Sequence, residues 1–232
     1  MSDTGTHYGR ATATLIDETF AAGVERAVLL QRHSARTFDR SIHDLLNPLT
    51  DHGRALCRQF GELLPRDIAL RGYASPPERC METAQLTIEA HVARGGMGHR
   101  VRAVEALGVF YALDQQRMWK GLSAADSLAH YIGQWYAGEV GADVLIPAPQ
   151  ALQLLLGVLV ARLDAPALHT DTRQLDLCVS HDFTVLAVRH GLGLEAWDGL
   201  GIEFLDGLLL FRRAGELVMR SQHGAEVQVR IE

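Results

Sequence analysis

Ala27-Val28-Leu29-Leu30-Gln31-Arg32-His33-Ser34-Ala35-Arg36 is the stretch whose reading decides the fold. A short apolar run bounded by polar residues has the length and content of a buried strand, here about 26–31. It ends in two arginines and a histidine. The same grammar returns in Leu175-Asp176-Leu177-Cys178-Val179, followed by Ser180-His181-Asp182. In an open α/β sheet, ligands bind in the crevice beyond the carboxyl ends of the parallel strands. The two turns are therefore expected to bring His33 and His181 to one rim, with Arg32 and Arg36 alongside.

Working outward, residues 68–74 read as a second strand, 101–107 as a third and 175–180 as a fourth. Residues 37–49 read as loop, with Pro48 as punctuation. Thr50 is placed to cap a helix running to about Leu64, in which Ala55, Leu56, Phe60, Leu63 and Leu64 recur at helical spacing. Ser75-Pro76-Pro77-Glu78 opens the next helix, a small polar residue followed by proline. That helix runs to about Ala93 and buries Cys80, Ala84, Leu86 or Thr87, and Ile88, and Gly95-Gly96-Met97-Gly98 breaks it. Residues 123–137 and 148–163 read as helices, the second apolar on most sides and expected to be buried. A last helix covers about 182–191. Residues 208–212 and 216–220 flank Ala214-Gly215, a hairpin signal.

Strands alternating with helices predict the α/β class. The expected architecture has three layers, a mainly parallel central sheet with helices on both faces, and an antiparallel C-terminal hairpin. Residues 1–24 read as an N-terminal extension or a short helix near Thr14 to Phe20. Residues 25–232 read as one domain, in which about 108–147 form a cap over the cleft. Phe110, Tyr111, Trp119 and Lys120 are the cap's candidates for touching a ligand, although Tyr111, Trp119, Trp135 and Tyr136 also suit helix packing.

The bulk composition narrows the function classes. Of 232 residues, 47% are hydrophobic and 22% charged, which suits a packed core. The net charge of −6 argues against nucleic acid or an anionic membrane as the main partner. An anionic ligand must then be drawn by local arginines. The three cysteines are too few and scattered for a disulfide framework. The polar first eight residues lack the apolar core of a signal peptide, and apolar runs such as 152–160 fall short of the ~20 residues that span a bilayer. A soluble, cytoplasmic protein is the expectation. The run Leu208-Leu209-Leu210-Phe211 leaves two readings open, a sheet margin that pairs with a second copy or an interior strand.

Two imidazoles and several guanidiniums at one strand-end cleft suit a phosphate monoester. Arginine grips a phosphate dianion with a rigid bidentate fork. A neutral imidazole serves as a nucleophile that forms a covalent intermediate, and neighbouring guanidiniums disfavour its protonated form. His33 fits that task. Arg79 adds a cation at the start of a helix, where backbone N–H groups already favour anions. Asp182 is the natural general acid. His43-Asp44 repeats the dipeptide but follows a loop, so a solvated or rim position is expected. Arg79 has a bland alternative, pairing with Glu78 or Glu82 on the helix surface. The other histidines lack the spacing of a metal site, and no dinucleotide or phosphate-loop fingerprint is complete, so no cofactor is expected.

Arg32-His33-Ser34-Ala35-Arg36-Thr37, Leu49-Thr50-Asp51-His52-Gly53-Arg54, Ser75-x-x-x-Arg79-Cys80-x-x-Thr83-Ala84 and Ser180-His181-Asp182-Phe183-Thr184 together resemble the histidine phosphatase superfamily. The His-Asp pair resembles its histidine acid phosphatase branch. The resemblance implies a phosphoglycerate mutase-like fold and metal-independent hydrolysis of a small phosphorylated molecule. His33 would be the nucleophile, Arg32, Arg36, Arg79 and His181 would bind phosphate, and Asp182 would donate the proton. Two departures stand out: Ser34 replaces the family's usual glycine, where it would narrow the pocket or add a hydroxyl, and Phe38 replaces a proline. The chain's modest size is closer to the mutase-like branch, in which a glutamate after the third strand supplies the proton, and Glu105 stands near that place. A phosphoryl transferase or mutase, and a non-catalytic phosphate-binding module, are the competing functions.

Overall fold

The computed structural model describes residues 8–39, 41–169, 171–194 and 201–231. Its centre is β1 (Arg26–Arg32), β2 (Ile68–Ala74) and β5 (Arg173–Ser180), three mutually parallel strands in the order β2-β5-β1. Successive strand side chains face opposite sides of a sheet, and β1 shows the consequence. Val28 and Leu30 enter the core on one face, while Ala27 and Leu29 enter the core on the other. Both faces are covered by helices, which is why this strand reads as a continuous apolar run.

The face of Ala27 and Leu29 carries α1 (Arg10–Ala21), α2 (Asp51–Leu63) and α3 (Glu78–Ala93). The other carries α5 (Leu128–Tyr136), α6 (Ala148–Leu163) and α7 (Asp182–Gly191), with Met118 of α4 (Gln115–Ala124) in the same core. Beyond β1 the sheet continues antiparallel through β6 (Gly207–Arg213), β7 (Glu216–Ser221) and β8 (Glu226–Gln228). On its far side β2 pairs with two short strands, β3 (Met97–Gly98) and β4 (Arg102–Ala103).

The three-layer α/β architecture is as expected; three details differ, and one of two open readings is decided. The third strand shrinks to β4, because the chain turns into a short 3-10 helix at Glu105–Leu107. There the Ser180 hydroxyl donates to the Leu107 carbonyl oxygen at 2.6 Å, drawing the segment across the strand end. The helix expected at 123–137 is two helices, α4 and α5. Ser127 separates them by accepting a hydrogen bond from the His130 N–H, the N-cap of α5. Helix α6 buries only one face, with Leu154 55% exposed. Finally, Leu208–Phe211 lie in β6 between β1 and β7, so that run is interior and offers no margin to a second copy. The N-terminal helix is longer than the segment near Thr14 to Phe20, and residues 1–7 of the extension lie outside the described residues, as do Gly199 and Leu200.

One charged pair lies inside the sheet. Arg71 of β2 and Asp176 of β5 stand opposite each other in register. The guanidinium donates to both carboxylate oxygens, at 2.9 and 2.6 Å, and Gln174 donates a further bond at 2.7 Å. Deleting one partner of such a pair leaves an uncompensated buried charge. Asp176→Ala is expected to lower unfolding free energy by about 3–5 kcal/mol in chemical denaturation. A loss under about 1 kcal/mol would show that Arg71 finds water or another acceptor.

Candidate active site

Strand register assembles the site. Arg32 of β1 stands opposite Ser180 of β5, and Ala74 of β2 opposite Val179. The ladder then runs one residue past the strand ends, the His33 N–H donating to the Ser180 carbonyl at 3.0 Å and the Ser75 N–H to the Val179 carbonyl at 2.9 Å. His33, His181 and Ser75 are thereby neighbours. The two imidazoles lie edge to face with ring centroids 5.6 Å apart.

The turn after β1 is clamped onto the start of α2. Thr50 caps that helix, its hydroxyl accepting from the Gly53 N–H at 2.9 Å. Ser34 donates its hydroxyl to the Gly53 carbonyl at 2.8 Å, and its N–H donates to the Thr83 hydroxyl at 3.2 Å. A Cβ on Gly53 would stand 2.0 Å from the Ala35 carbonyl oxygen, so the close approach of the two backbones requires glycine. Ser34 is fully buried in this seam, and its hydroxyl points to α2. It neither narrows the cleft nor adds a donor to it, which corrects the expectation for that position.

His33 has a defined tautomer. Its Nδ1 lies 2.8 Å from the Ser34 carbonyl oxygen, which only accepts, so Nδ1 carries the proton. Nε2 is left with its lone pair, and the Nε–H of Arg79 donates to it at 3.2 Å. Burial pushes the His33 pKa well below the usual histidine range, with His181, Arg79 and Arg32 adding to the effect. The dominant cause is thus desolvation, with the guanidiniums secondary. His181 accepts from Arg79 through Nδ1 at 3.4 Å and meets the Ser75 hydroxyl through Nε2 at 2.9 Å. Burial first, then Arg79, lowers it to about 4. The thiol of Cys80, 3.8 Å from His181 Nε2, is pushed up to about 12 by burial and stays protonated.

Arg79, 2% exposed at the start of α3, is the hub. It does not pair with Glu82, whose carboxylate is held by Arg54 at 2.7 Å. It binds both histidines, and it donates to the Asp44 carbonyl at 2.8 Å and to the Asp44 carboxylate at 3.1 Å. The other carboxylate oxygen of Asp44 pairs with Arg36 at 2.8 Å. The rim residue of the sequence reading is therefore the carboxylate that bridges two of the expected anion-binding arginines. Arg32 departs from the expected cradle. Its guanidinium pairs with Asp182 at 3.0 Å, donates to the Ile202 carbonyl and lies 4.3 Å over the Phe204 ring. Its Nε–H is buried and has no partner among the described residues. Asp182 opens α7 and is 39% exposed, its other oxygen accepting from the Phe183 N–H at 2.8 Å.

These groups share one cleft of about 320 Å³, lined by His33, Arg36, Asp44, Arg79, His181 and Asp182 and walled beyond them by side chains of α4 and its surroundings. Glu105 is exposed on its 3-10 turn and does not line it. Of the four cap candidates only Trp119 does. Tyr111 is buried against Trp135 and Phe183 with ring centroids 5.0 and 5.4 Å away. Among the described residues no cluster of metal-ligating side chains is found, and no helix is long and apolar enough to cross a membrane.

No protein-family model matches the chain, and no curated protein sequence matches it. Solved structures do. A phosphoglycerate mutase from Bacillus anthracis str. Sterne superposes with a TM-score of 0.52 at 14% identity, over 88% of this chain and 92% of that one. The mycobacterial glucosyl-3-phosphoglycerate phosphatase in complex with inorganic phosphate gives 0.52 at 16% identity, over 88% and 96%. The chain has a phosphoglycerate mutase-like fold.

Within this fold, the residues that sequence reading missed are Phe204, the platform under Arg32, and Asp44 as a partner of the cleft arginines. The repeated His-Asp dipeptide was a usable signal for Asp44. None marks Phe204, which lies in an irregular segment.

The buried imidazoles carry a pH signature. Their folded-state pKa values lie below the unfolded value of about 6.5, so the stabilisation is complete above that pH. It is lost as pH falls from there, for His181 toward about 4. In an NMR titration the ring signals of His33 and His181 should stay at their neutral positions from about pH 8 to about 5.5. Either ring titrating near 6.5 would contradict the assigned burial and tautomer.

Proposed function

We propose that this protein is a phosphomonoesterase that works through a phosphohistidine on His33, without a metal ion taking part. The observation that carries this reading is the neutral imidazole of His33, its Nδ1–H tied to a carbonyl and its Nε2 lone pair turned to the Arg79 Nε–H beside His181. An incoming phosphate dianion exchanges with the Asp44 carboxylate on Arg36 and Arg79, trading one anion for another with more charge and more acceptor oxygens. The ring of His181 completes the grip, while Arg32 stays outside the lining on Asp182. Nε2 attacks phosphorus in line and the ester P–O bond breaks. The leaving oxygen takes its proton from Asp182, which Arg32 holds at the cleft. Water then attacks the phosphohistidine, returning a proton to Asp182 and freeing phosphate and His33.

Asp182 is favoured over Glu105 because it lines the cleft and Glu105 does not. An aspartate directly after the second histidine is also the arrangement that resembles the acid phosphatase branch. The segment 108–147 serves as the cap, and the substrate is a small or medium phosphate monoester. Three buried free cysteines suit a reducing, cytoplasmic setting.

Steady-state hydrolysis in EDTA tests the roles. His33→Ala should abolish turnover of every monoester, since the uncatalysed reaction is among the slowest known. Asp182→Asn should lose on the order of 10²–10⁴ in kcat on alkyl phosphates and markedly less on para-nitrophenyl phosphate, whose leaving group needs little protonation. Normal turnover of alkyl phosphates by Asp182→Asn would remove Asp182 from the mechanism.

A further inference from the structure

Beyond the charged cradle the cleft changes character. Val109, Met118, Trp119, Leu122, Leu128 and Phe183 form its outer wall, and none carries a charge. The one lysine of the cap, Lys120, is exposed and does not line the cleft. A second hollow of about 270 Å³, with a mixed polar and apolar lining, adjoins it, sharing Asp44 and Trp119 with the first and adding Phe38, Asp39, Ile42 and His43. Ile42 is 40% and Trp119 43% exposed there, and the Arg36 guanidinium lies 5.1 Å from the ring centre of Phe38. An apolar surface contiguous with a polar cradle is the signature of a ligand groove.

Charge bookkeeping gives the occupant. The cleft's cations are Arg36 and Arg79, both turned to the place where Asp44 now sits, and Arg32 stands behind Asp182. One phosphate uses them all. A carboxylate or second phosphate directed at the α4 wall would meet Val109, Met118, Trp119, Leu122, Leu128 and Phe183, which offer no cation among the described residues, and desolvating an unpaired charge is costly. A hydrocarbon or aromatic group in the same place gains from burial against Trp119, Leu122 and Phe183. Resting on the phosphatase reading above, we infer that the substrate is the monophosphate ester of an apolar alcohol or phenol, with its chain or ring lying along the α4 wall. Phosphorylated acids and polyphosphorylated polyols are the excluded class.

The n-alkyl phosphates from ethyl to octyl separate this inference from the chemistry, because their leaving groups have nearly equal basicity while apolar area grows. The kcat/KM value should rise by up to about fourfold per methylene until the wall is filled. Phosphoglycerate and inositol hexakisphosphate should fall below butyl phosphate. Calorimetric binding of the matching alkylphosphonates, which cannot be hydrolysed, should show the same chain-length dependence in Kd. Trp119→Ala, at an exposed position, should flatten both series, and Leu122→Arg should raise the relative rate on phosphoglycerate. A flat series in both measurements, or a preference for phosphoglycerate, would overturn the inference while leaving the phosphatase intact. Chain-dependent phosphonate binding with no turnover of any ester would instead overturn the phosphatase reading and uphold the ligand class.

Discussion

Everything at the cleft depends on the hydrogen-bond ladder between β2, β5 and β1 continuing one residue beyond the strands. Because Arg32 is opposite Ser180 and Ala74 opposite Val179, the residues that follow each strand have no freedom to separate. Two histidines distant in sequence, 33 and 181, are held ring edge to ring face, and Arg79 enters between them from the start of α3. A shift of one residue in either pairing would turn every side chain of the strand to the opposite face. The dual-faced core of β1, with Val28 and Leu30 to one side and Ala27 and Leu29 to the other, secures the ladder.

The electrostatics follow from burial. A guanidinium only 2% exposed needs an anion, and in this structure Asp44 is that anion. The imidazoles, buried beside the same cation, stay neutral. The neutral His33 imidazole and a cationic hub paired with a carboxylate form one arrangement, in which each group's state depends on the others. Arg32, the residue before His33, is drawn to Asp182 and Phe204.

Much of this was legible in the sequence. The strands 68–74 and 26–31, the helix starts at Ser75-Pro76-Pro77 and Thr50, and the hairpin about Ala214-Gly215 follow from local rules of periodicity, capping and turn chemistry, and they agree with the structure. His33, His181, Arg36, Arg79 and Asp182 converge as the strand-end argument implies. The failures are tertiary. The third strand ends early because a hydroxyl on a distant strand captures Leu107. Ser34 points into a helix seam because Gly53 lets two backbones touch. Asp44 reaches the arginines only because the 37–49 loop folds back, with Arg36 bridged to Leu49. No periodicity encodes such contacts.

The central claim is that Nε2 of His33 becomes bonded to phosphorus during turnover. The direct measurement is rapid mixing with phosphorus-labelled para-nitrophenyl phosphate, a denaturing alkaline quench, and mapping of any acid-labile phosphate on the digested protein. Label on the peptide that holds His33, absent in His33→Ala, is the predicted result. Turnover at a normal rate with no label on that peptide, under conditions where hydrolysis of the intermediate is the slow step, would contradict it.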